Sequence, residues 1–461
     1  MTASRPRGFD AWLFPPALPP PSTAEEIAAG GVVIRYPKSD HQLGHMLISA
    51  LRASRPALTA IRTDDLIALL GSVGDRFARN ALDERALARV AANAGLSRPM
   101  TREVLNGVAA SWTTDALGRL VRAEFANPRA LDGFVGEDGR EVRAAAPGVT
   151  LHLGAGSVPG VTVTSMLRAL LVKSPVLVKP GAGDAVLTTL FARELHRADS
   201  RLAAASAVCY WTGGAPARGA WERELLALAD QAVVYGGDDT IEAVRSRAPA
   251  STRLVEHSHR LGVAIVDPRG APGAAADAAR AAAVFDQRGC VSTRLVLLLG
   301  DLAAARDWCG DLAAHLAKIG AALPAATPTP AELSAHHQLA GRLALQGRST
   351  GEAGSWFSAE TGWSVALAPG RAFEPAGGRT AWVVPVADAA ACRDVLAPLS
   401  PALQTVGLAG IGPGRGRLAE MLSALGATRI VPLDQVPFPE PDWLHDGSRP
   451  LGELVCWSEL R

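Results

Sequence analysis

Gly148-Val-Thr-Leu-His-Leu-Gly154-Ala-Gly156-Ser157-Val-Pro159-Gly160, followed closely by Val176-Leu-Val-Lys179-Pro180, decides the fold of this chain. Each stretch is a short apolar run that ends in a turn of small residues and gives way to a helical pattern. The first helix covers Val161 to Val172 and the second runs from about Asp184 to His196. Ala207-Val-Cys-Tyr-Trp, a helix near Trp221 to Leu228, Gln231-Ala-Val-Val-Tyr and a helix from Asp238 continue the alternation. Strands separated by single helices require parallel crossovers, so the expected architecture is a doubly wound α/β sheet.

Outward from this region the pattern changes. His41 to Phe125 is helical, with apolar residues at three- and four-residue steps in Asp64-Asp-Leu-Ile-Ala-Leu-Leu and Glu84-Arg-Ala-Leu-Ala-Arg-Val. Met1 to Ser22 is proline-rich and reads as a flexible tail or an extended surface segment. Towards the C-terminus, Val263 to Asp267 is a strand leading into the alanine-rich helix Ala274 to Phe285. A polar loop and the apolar strand Arg294 to Leu299 come next, and the Pro/Thr-rich stretch Pro324 to Pro330 reads as a surface connection. Leu451-Gly-Glu-Leu-Val-Cys-Trp is strand-like with no neighbour in sequence, so it is expected to join another sheet, in its own chain or in a second subunit. The expected domains are a tail and helical region over 1–145, a cofactor-binding α/β domain over 146–266, a catalytic α/β domain over 267–435 and a C-terminal segment over 436–461.

Composition removes several function classes. Lys+Arg (46) and Asp+Glu (45) nearly cancel, leaving no basic field to hold a nucleic-acid backbone. The longest apolar run, Val161 to Leu177, is broken by Arg168, Lys173 and Pro175, so no membrane span is expected, and the chain reads as soluble and cytoplasmic. The five cysteines, Cys209, Cys290, Cys309, Cys392 and Cys456, are odd in number and lack zinc-site spacing. They read as reduced thiols, with no metal expected.

Cys290 differs from the other four in its surroundings. Asp286-Gln-Arg-Gly-Cys290-Val-Ser-Thr-Arg is polar and punctuated by Gly289, whereas Cys209 sits in an apolar run. A reactive thiolate and a structural thiol both remain open for it. The turn Gly154 to Gly160 looks like a Gly-x-Gly-x-x-Gly phosphate cradle, but Pro159 replaces the third glycine and no acid follows about twenty residues on. A tight strand-to-helix turn is the alternative. Lys179 ends a buried strand at the carboxyl edge, where open sheets bind ligands, or else reaches into solvent. Gly213-Gly214 and Gly236-Gly237 follow strands and suit a close approach by a nucleotide, while Asp238 or Asp239 suits an N-cap.

The order of these motifs resembles the aldehyde dehydrogenase superfamily and, within it, the LuxC-like acyl-CoA reductases. The resemblance rests on Leu151-His-Leu-Gly-Ala-Gly-Ser-Val-Pro-Gly, Lys173-Ser-Pro-Val-Leu-Val-Lys-Pro, Tyr210-Trp-Thr-Gly-Gly, Asp286-Gln-Arg-Gly-Cys and Trp443-Leu-His-Asp-Gly. It implies an aldehyde dehydrogenase-like fold with a terminal oligomerisation strand, a homo-oligomer, and reduction of a fatty acyl-CoA to its aldehyde through an acyl-enzyme on Cys290. A carrier-protein or enzyme-bound acyl thioester is the alternative substrate. An oxidative aldehyde dehydrogenase with Glu256 as base and an inactive scaffold subunit are more distant readings. The family's oxyanion asparagine corresponds to Ser157, and His259 is the candidate acid or base. Lys179, with Pro180, matches the lysine that holds the adenosine ribose, and Gly156, Gly213, Gly214, Gly236 and Gly237 are cofactor contacts. Ala182 stands where NAD-preferring relatives carry a glutamate, which points to NADPH. No role is assigned to His445 or Asp446.

Overall fold

The computed structural model describes residues 8–79, 82–213, 216–326, 330–350, 352–358, 360–370, 373–374 and 377–461. Gly214, the first seven residues and 327–329 of the Pro/Thr-rich stretch lie outside the described residues. The chain forms two compact units, one of Met1–Gly95, Thr101–Ser258 and Glu440–Arg461, the other of Leu96–Met100 and His259–Pro439.

The first unit is built on a six-stranded sheet ordered Arg253–His257, Gln231–Tyr235, Thr150–Leu153, Val176–Lys179, Ser206–Cys209 and Trp12–Leu13. The first five are parallel and Trp12–Leu13 closes one edge antiparallel. Thr150–Leu153, Ser206–Cys209 and Gln231–Tyr235 are buried along their whole length, as a sheet covered on both faces requires. The order reverses between Gln231–Tyr235 and Thr150–Leu153, which makes the carboxyl ends of those two strands the switch point where such sheets hold ligands. The helices His41–Thr59, Thr63–Ala78, Glu84–Ala94 and Thr114–Glu124 belong to the same unit. Leu58, Leu66, Leu70, Val90 and Leu117 share one core with Val163, Val176 and Val208 of the α/β segment.

The described part of the N-terminal tail is folded rather than loose. Phe9–Asp10 pairs with Val32–Pro37, Trp12–Leu13 with Ser206–Cys209, and Phe9, Ala11 and Phe14 are buried. The aromatic side chains between the prolines supply the apolar area that a solvated tail lacks.

The terminal strand also differs from its expected span. Leu451 is buried, Gly452–Leu454 forms a 3-10 turn, and the strand is Cys456–Leu460. The Glu124 carboxylate accepts the backbone N–H groups of Leu451 and Gly452, each at 2.8 Å, and this holds the segment in a turn. Cys456–Leu460 then pairs antiparallel with Arg140–Ala145 of its own chain, in a three-stranded sheet with Val135–Glu137. Its side chains are exposed.

The second unit holds a seven-stranded sheet ordered Gly354–Ser358, Trp363–Leu367, Arg379–Val386, Thr293–Leu299, Leu261–Val266, Leu403–Ala409 and Arg429–Pro432, parallel except for Gly354–Ser358. The alanine-rich helix Ala274–Ala283 packs on it and ends at a kink before the Cys290 loop. No helix among the described residues is long and apolar enough to cross a membrane.

Candidate active site

In the second unit, the approach to Cys290 is a strained piece of backbone. Phe285, Asp286 and Gln287 have φ of 63°, 50° and 60°, three consecutive non-glycine residues in the left-handed region. Such a run persists only where surrounding contacts over-determine it. Asp286 is buried and accepts from Arg379 Nε at 2.9 Å and from its terminal nitrogen at 2.6 Å, while its second oxygen accepts from Ala326 N–H at 3.1 Å. The Gln287 amide donates to the Thr293 and Thr380 carbonyls at 2.9 and 2.7 Å, and its carbonyl accepts from Thr380 N–H at 3.2 Å. Arg294 donates to the Gln287 carbonyl at 2.8 Å. Both residues that open the motif are thus tied to strands of the sheet.

Beyond them the loop turns tightly, with Ser292 N–H donating to the Gly289 carbonyl at 3.1 Å. A Cβ on Gly289 would stand 3.1 Å from the Phe285 ring and 3.2 Å from Ser292 Oγ, so the position before the thiol is nearly full. Cys290 itself is partly exposed. Cys209, Cys309 and Cys392 are buried, and burial pushes their thiols up, the latter two to about 12. These three are poor nucleophiles at neutral pH. Cys456 is exposed on the terminal strand.

In the first unit, the turn after Thr150–Leu153 has its own solution for the helix N-terminus. Gly160, with φ of 97°, precedes Val161–Leu171, and the buried Asp184 carboxylate accepts from Gly160 N–H at 2.9 Å and Thr162 N–H at 3.1 Å. Burial pushes Asp184 up to about 6, against those two N–H groups. The donors that would cradle a pyrophosphate in a common dinucleotide fold are spent on this acid. Gly156 is packed on the following strand's turn: a Cβ on Gly181 would lie 2.2 Å from Gly156 N, and one on Gly183 would lie 2.3 Å from Gly156 O. Ser157, next in the turn, is exposed.

Lys179 is half-buried at the end of Val176–Lys179, with Pro180 buried behind it. Its ammonium lies 5.7 Å from the Tyr210 ring centroid and 5.8 Å from that of Trp211. Burial lowers its pKa, and the Glu222 carboxylate opposes that shift. Glu222 is itself held by Trp211 Nε1 at 3.1 Å and Arg247 at 2.7 Å. Among the described residues no hydrogen-bond acceptor meets the Lys179 ammonium, so it suits a ribose hydroxyl or phosphate oxygen. A Cβ on Gly213 or Gly237 meets nothing within 4 Å, whereas one on Gly236 would meet Thr240 at 2.8 Å. Gly237, not Asp238 or Asp239, is the N-cap of Asp238–Arg245.

His259 is exposed in the segment before Leu261–Val266. Glu256 is engaged with Arg245, whose Nε donates to it at 3.0 Å, which leaves it poorly placed to act as a base.

His445 and Asp446 of the Trp443-Leu-His-Asp-Gly stretch had no assigned role, and the fold shows what they pack against. Tyr235, His257, His445 and Trp443 stack in succession, with centroid separations of 4.5, 4.1 and 4.6 Å. His257 Nδ1 lies 2.9 Å from Asp446 and His445 Nδ1 lies 3.3 Å from Arg168. The two imidazoles are only 10° from parallel, so their in-plane lone pairs run side by side instead of converging on one ion. Beside them His152 is buried and bonded to Ser165, and among the described residues its Nε2 has no hydrogen-bond partner. Burial and the neighbouring His257 and Arg168 push His152 down to about 3.

The two α/β units, the first with its switch point beside glycine turns and the second presenting a partly exposed cysteine on a braced loop, have the aldehyde dehydrogenase-like fold. Over 98% of its length the chain is similar to an NAD-dependent aldehyde dehydrogenase from Sinorhizobium meliloti (94% of that chain, TM-score 0.72, 16% identity). It is likewise similar to an NADP-dependent glyceraldehyde-3-phosphate dehydrogenase from Bacillus halodurans complexed with NADP (98% and 99% covered, TM-score 0.73, 13% identity). Residues 58–457 match the model of the acyl-CoA reductase (LuxC) family, and the chain belongs to that family. Its oxidoreductase class is thereby the acyl thioester reductases. A curated relative, long-chain acyl-protein thioester reductase 2 of Photobacterium leiognathi, is 27% identical over 348 residues, 74% of this chain and 70% of the relative.

The pH dependence of stability tests the buried histidine. His152 in the folded chain titrates near 3, below its ordinary 6.5, so the unfolded chain takes up a proton first as pH falls. Its contribution is therefore intact above 6.5 and is lost progressively as pH falls towards 3, with a slope of about 1.4 kcal/mol per pH unit for one proton. In urea denaturation across that range, His152→Gln is expected to show a shallower loss than the parent chain; identical slopes would refute the assignment.

Proposed function

We propose that this protein reduces a long-chain acyl group, delivered as a protein-bound thioester, to the aldehyde, with Cys290 carrying the acyl group. The observation that carries this reading is the braced loop: of the five thiols, Cys290 alone combines partial exposure with a rigid, glycine-turned setting. The protein-bound donor is favoured over acyl-CoA, the substrate that the motifs first suggested, by the likeness to the Photobacterium leiognathi relative named for acyl-protein thioesters.

In this reading the Cys290 thiolate attacks the acyl carbonyl, a new C–S bond forms, and the carrier's thiolate leaves and takes up a proton. The family resemblance assigns to Ser157 the hydrogen bond to the oxyanion of the tetrahedral intermediate. His259 passes the proton. A bound reduced nicotinamide would supply the hydride that converts the acyl group to the aldehyde level. The resulting thiohemiacetal on Cys290 collapses, breaking the C–S bond and returning the thiolate. Lys179 would hold the coenzyme's ribose or phosphate, with Gly213 and Gly237 leaving room for its backbone approach. NADPH is preferred because Ala182, in the tight turn beside Lys179, presents no carboxylate against a 2′-phosphate.

One assay tests the donor and the residues together. With NADPH and a long-chain acyl group on either a carrier protein or CoA, aldehyde is expected faster from the protein thioester. Equal or faster reduction of acyl-CoA would overturn the donor assignment, and turnover by Cys290→Ala would overturn the nucleophile. Ser157→Ala is expected to lower kcat by about 10²-fold with little change in KM; an unchanged kcat removes it from the oxyanion site. His259→Gln should abolish the basic or acidic limb of the kcat profile if it moves the proton.

We also propose a homo-oligomer. Cys456–Leu460 is the edge strand of its sheet and presents Trp457 and Leu460, each about half exposed. Sedimentation velocity should show an assembly larger than 47.8 kDa that Trp457→Glu dissociates. A monomeric parent chain would end this idea.

A further inference from the structure

Helix His41–Thr59 opens with two histidines one turn apart, His41 and His45, and Asp40 caps it by accepting from Leu43 N–H at 2.7 Å. Residues at this spacing project from one helical face. The apolar stripe beside them, Leu43, Leu47, Ile48 and Leu51, is buried against Trp221, Leu225 and Leu226 of helix Pro216–Leu228. Gly44 is the reason the two helices come so close. A Cβ there would stand 3.1 Å from Trp221 Nε1 and 3.2 Å from Leu225 Cδ2. At that separation Glu224 reaches across to both histidines.

The three side chains converge on one point. His45 Nε2 lies 2.9 Å from Glu224 Oε1, and His41 Nδ1 contacts the same oxygen. The candidate ligand atoms all lie within 4.8 Å of one another. The imidazole planes are 81° apart with centroids at 4.7 Å, so their lone pairs lie in crossed planes and can meet at one ion. This is the opposite of the parallel His257–His445 pair. Glu224 Oε1 adds an independent observation: it is shielded from solvent and has no hydrogen bond of acceptable alignment. The oxygen and the two imidazole nitrogens against it are a donor set that a shared cation satisfies.

We propose that His41, His45 and Glu224 form a binding site for a divalent transition-metal ion, with water completing its coordination. Two imidazoles and one carboxylate match Zn²⁺, and also Ni²⁺ or Cu²⁺, and do not match Ca²⁺ or Mg²⁺, which take oxygen ligands. The Glu224 and Asp40 carboxylates offset the positive end of the helix dipole that a cation at this terminus meets. The ion would tie the two helices together beside Gly44. One of them also carries Glu222, the carboxylate that faces Lys179. This site is independent of the Cys290 chemistry and stands or falls separately from it.

Calorimetric titration of Zn²⁺ into the metal-stripped full chain tests it. One equivalent is expected to bind at pH 7.5. His45→Ala and Glu224→Gln should each weaken binding by about tenfold or more and abolish the rise in Tm that Zn²⁺ gives the parent chain. Far-ultraviolet circular dichroism confirms that these variants are folded. The double variant Cys290→Ala, Cys456→Ser should bind Zn²⁺ as the parent does. The proposal is overturned if the parent chain takes up no equivalent of Zn²⁺, if the thiol variant loses it, or if His45→Ala binds undiminished.

Discussion

The buried ion pair between Asp286 and Arg379 is the constraint on which the Cys290 loop rests. Its bonds of 2.9 and 2.6 Å to one carboxylate oxygen hold the first residue of the cysteine motif against a neighbouring strand. That anchor, with the Gln287 amide, stabilises three left-handed residues in a row, a conformation that costs on the order of 1–3 kcal/mol at each. The energy is recovered in the sheet contacts and leaves a loop with almost no freedom at Gly289. Cys290, the proposed nucleophile, sits on this loop, and a group so held is oriented before substrate arrives, which is how positioning lowers a barrier. Removing one member of a buried pair leaves an uncompensated charge, so the loop and the fold of its strand are coupled.

In the first unit the same economy takes a different form. Asp184 satisfies the helix N-terminus that other dinucleotide folds offer to a phosphate, and glycines 156, 181 and 183 bring two strand turns into backbone contact. The Lys179 ammonium, proposed to hold the coenzyme, has its pKa lowered by burial, and the Glu222 carboxylate that opposes this shift is already engaged by Trp211 and Arg247. A polar group left in that state is a better guide to a binding site than the glycine pattern.

Much of this was legible in the sequence because it is local. The alternation of apolar runs and helices from Gly148 onward reports a parallel sheet, since each strand must be covered by the helix that follows it. Cys290 stood apart from Cys209 by its neighbours alone. Features that depend on distant residues were not legible. The Asp184 cap joins residues 22 and 24 positions apart, the His257–Asp446 pair 189, and Asp286–Arg379 93. No window of sequence contains both members. Of the two readings of the tail the extended segment is the nearer one, and its pairing was not legible for a related reason: Phe9, Ala11 and Phe14 look unremarkable among prolines until the strands at 32–37 and 206–209 receive them.

The sequence by itself determined the fold class, the order of the motifs and the identity of the one thiol in a polar glycine loop, because these follow from periodicity and from each residue's immediate neighbours. Only the tertiary structure decided which groups are paired. It spent the first helix N-terminus on Asp184, stacked His445 on His257, turned Leu451 to Leu454 into an anchor on Glu124, and set His41 and His45 against Glu224. Each of these outcomes is a choice of partner across the chain, made by burial and hydrogen-bond satisfaction once the sheets had formed.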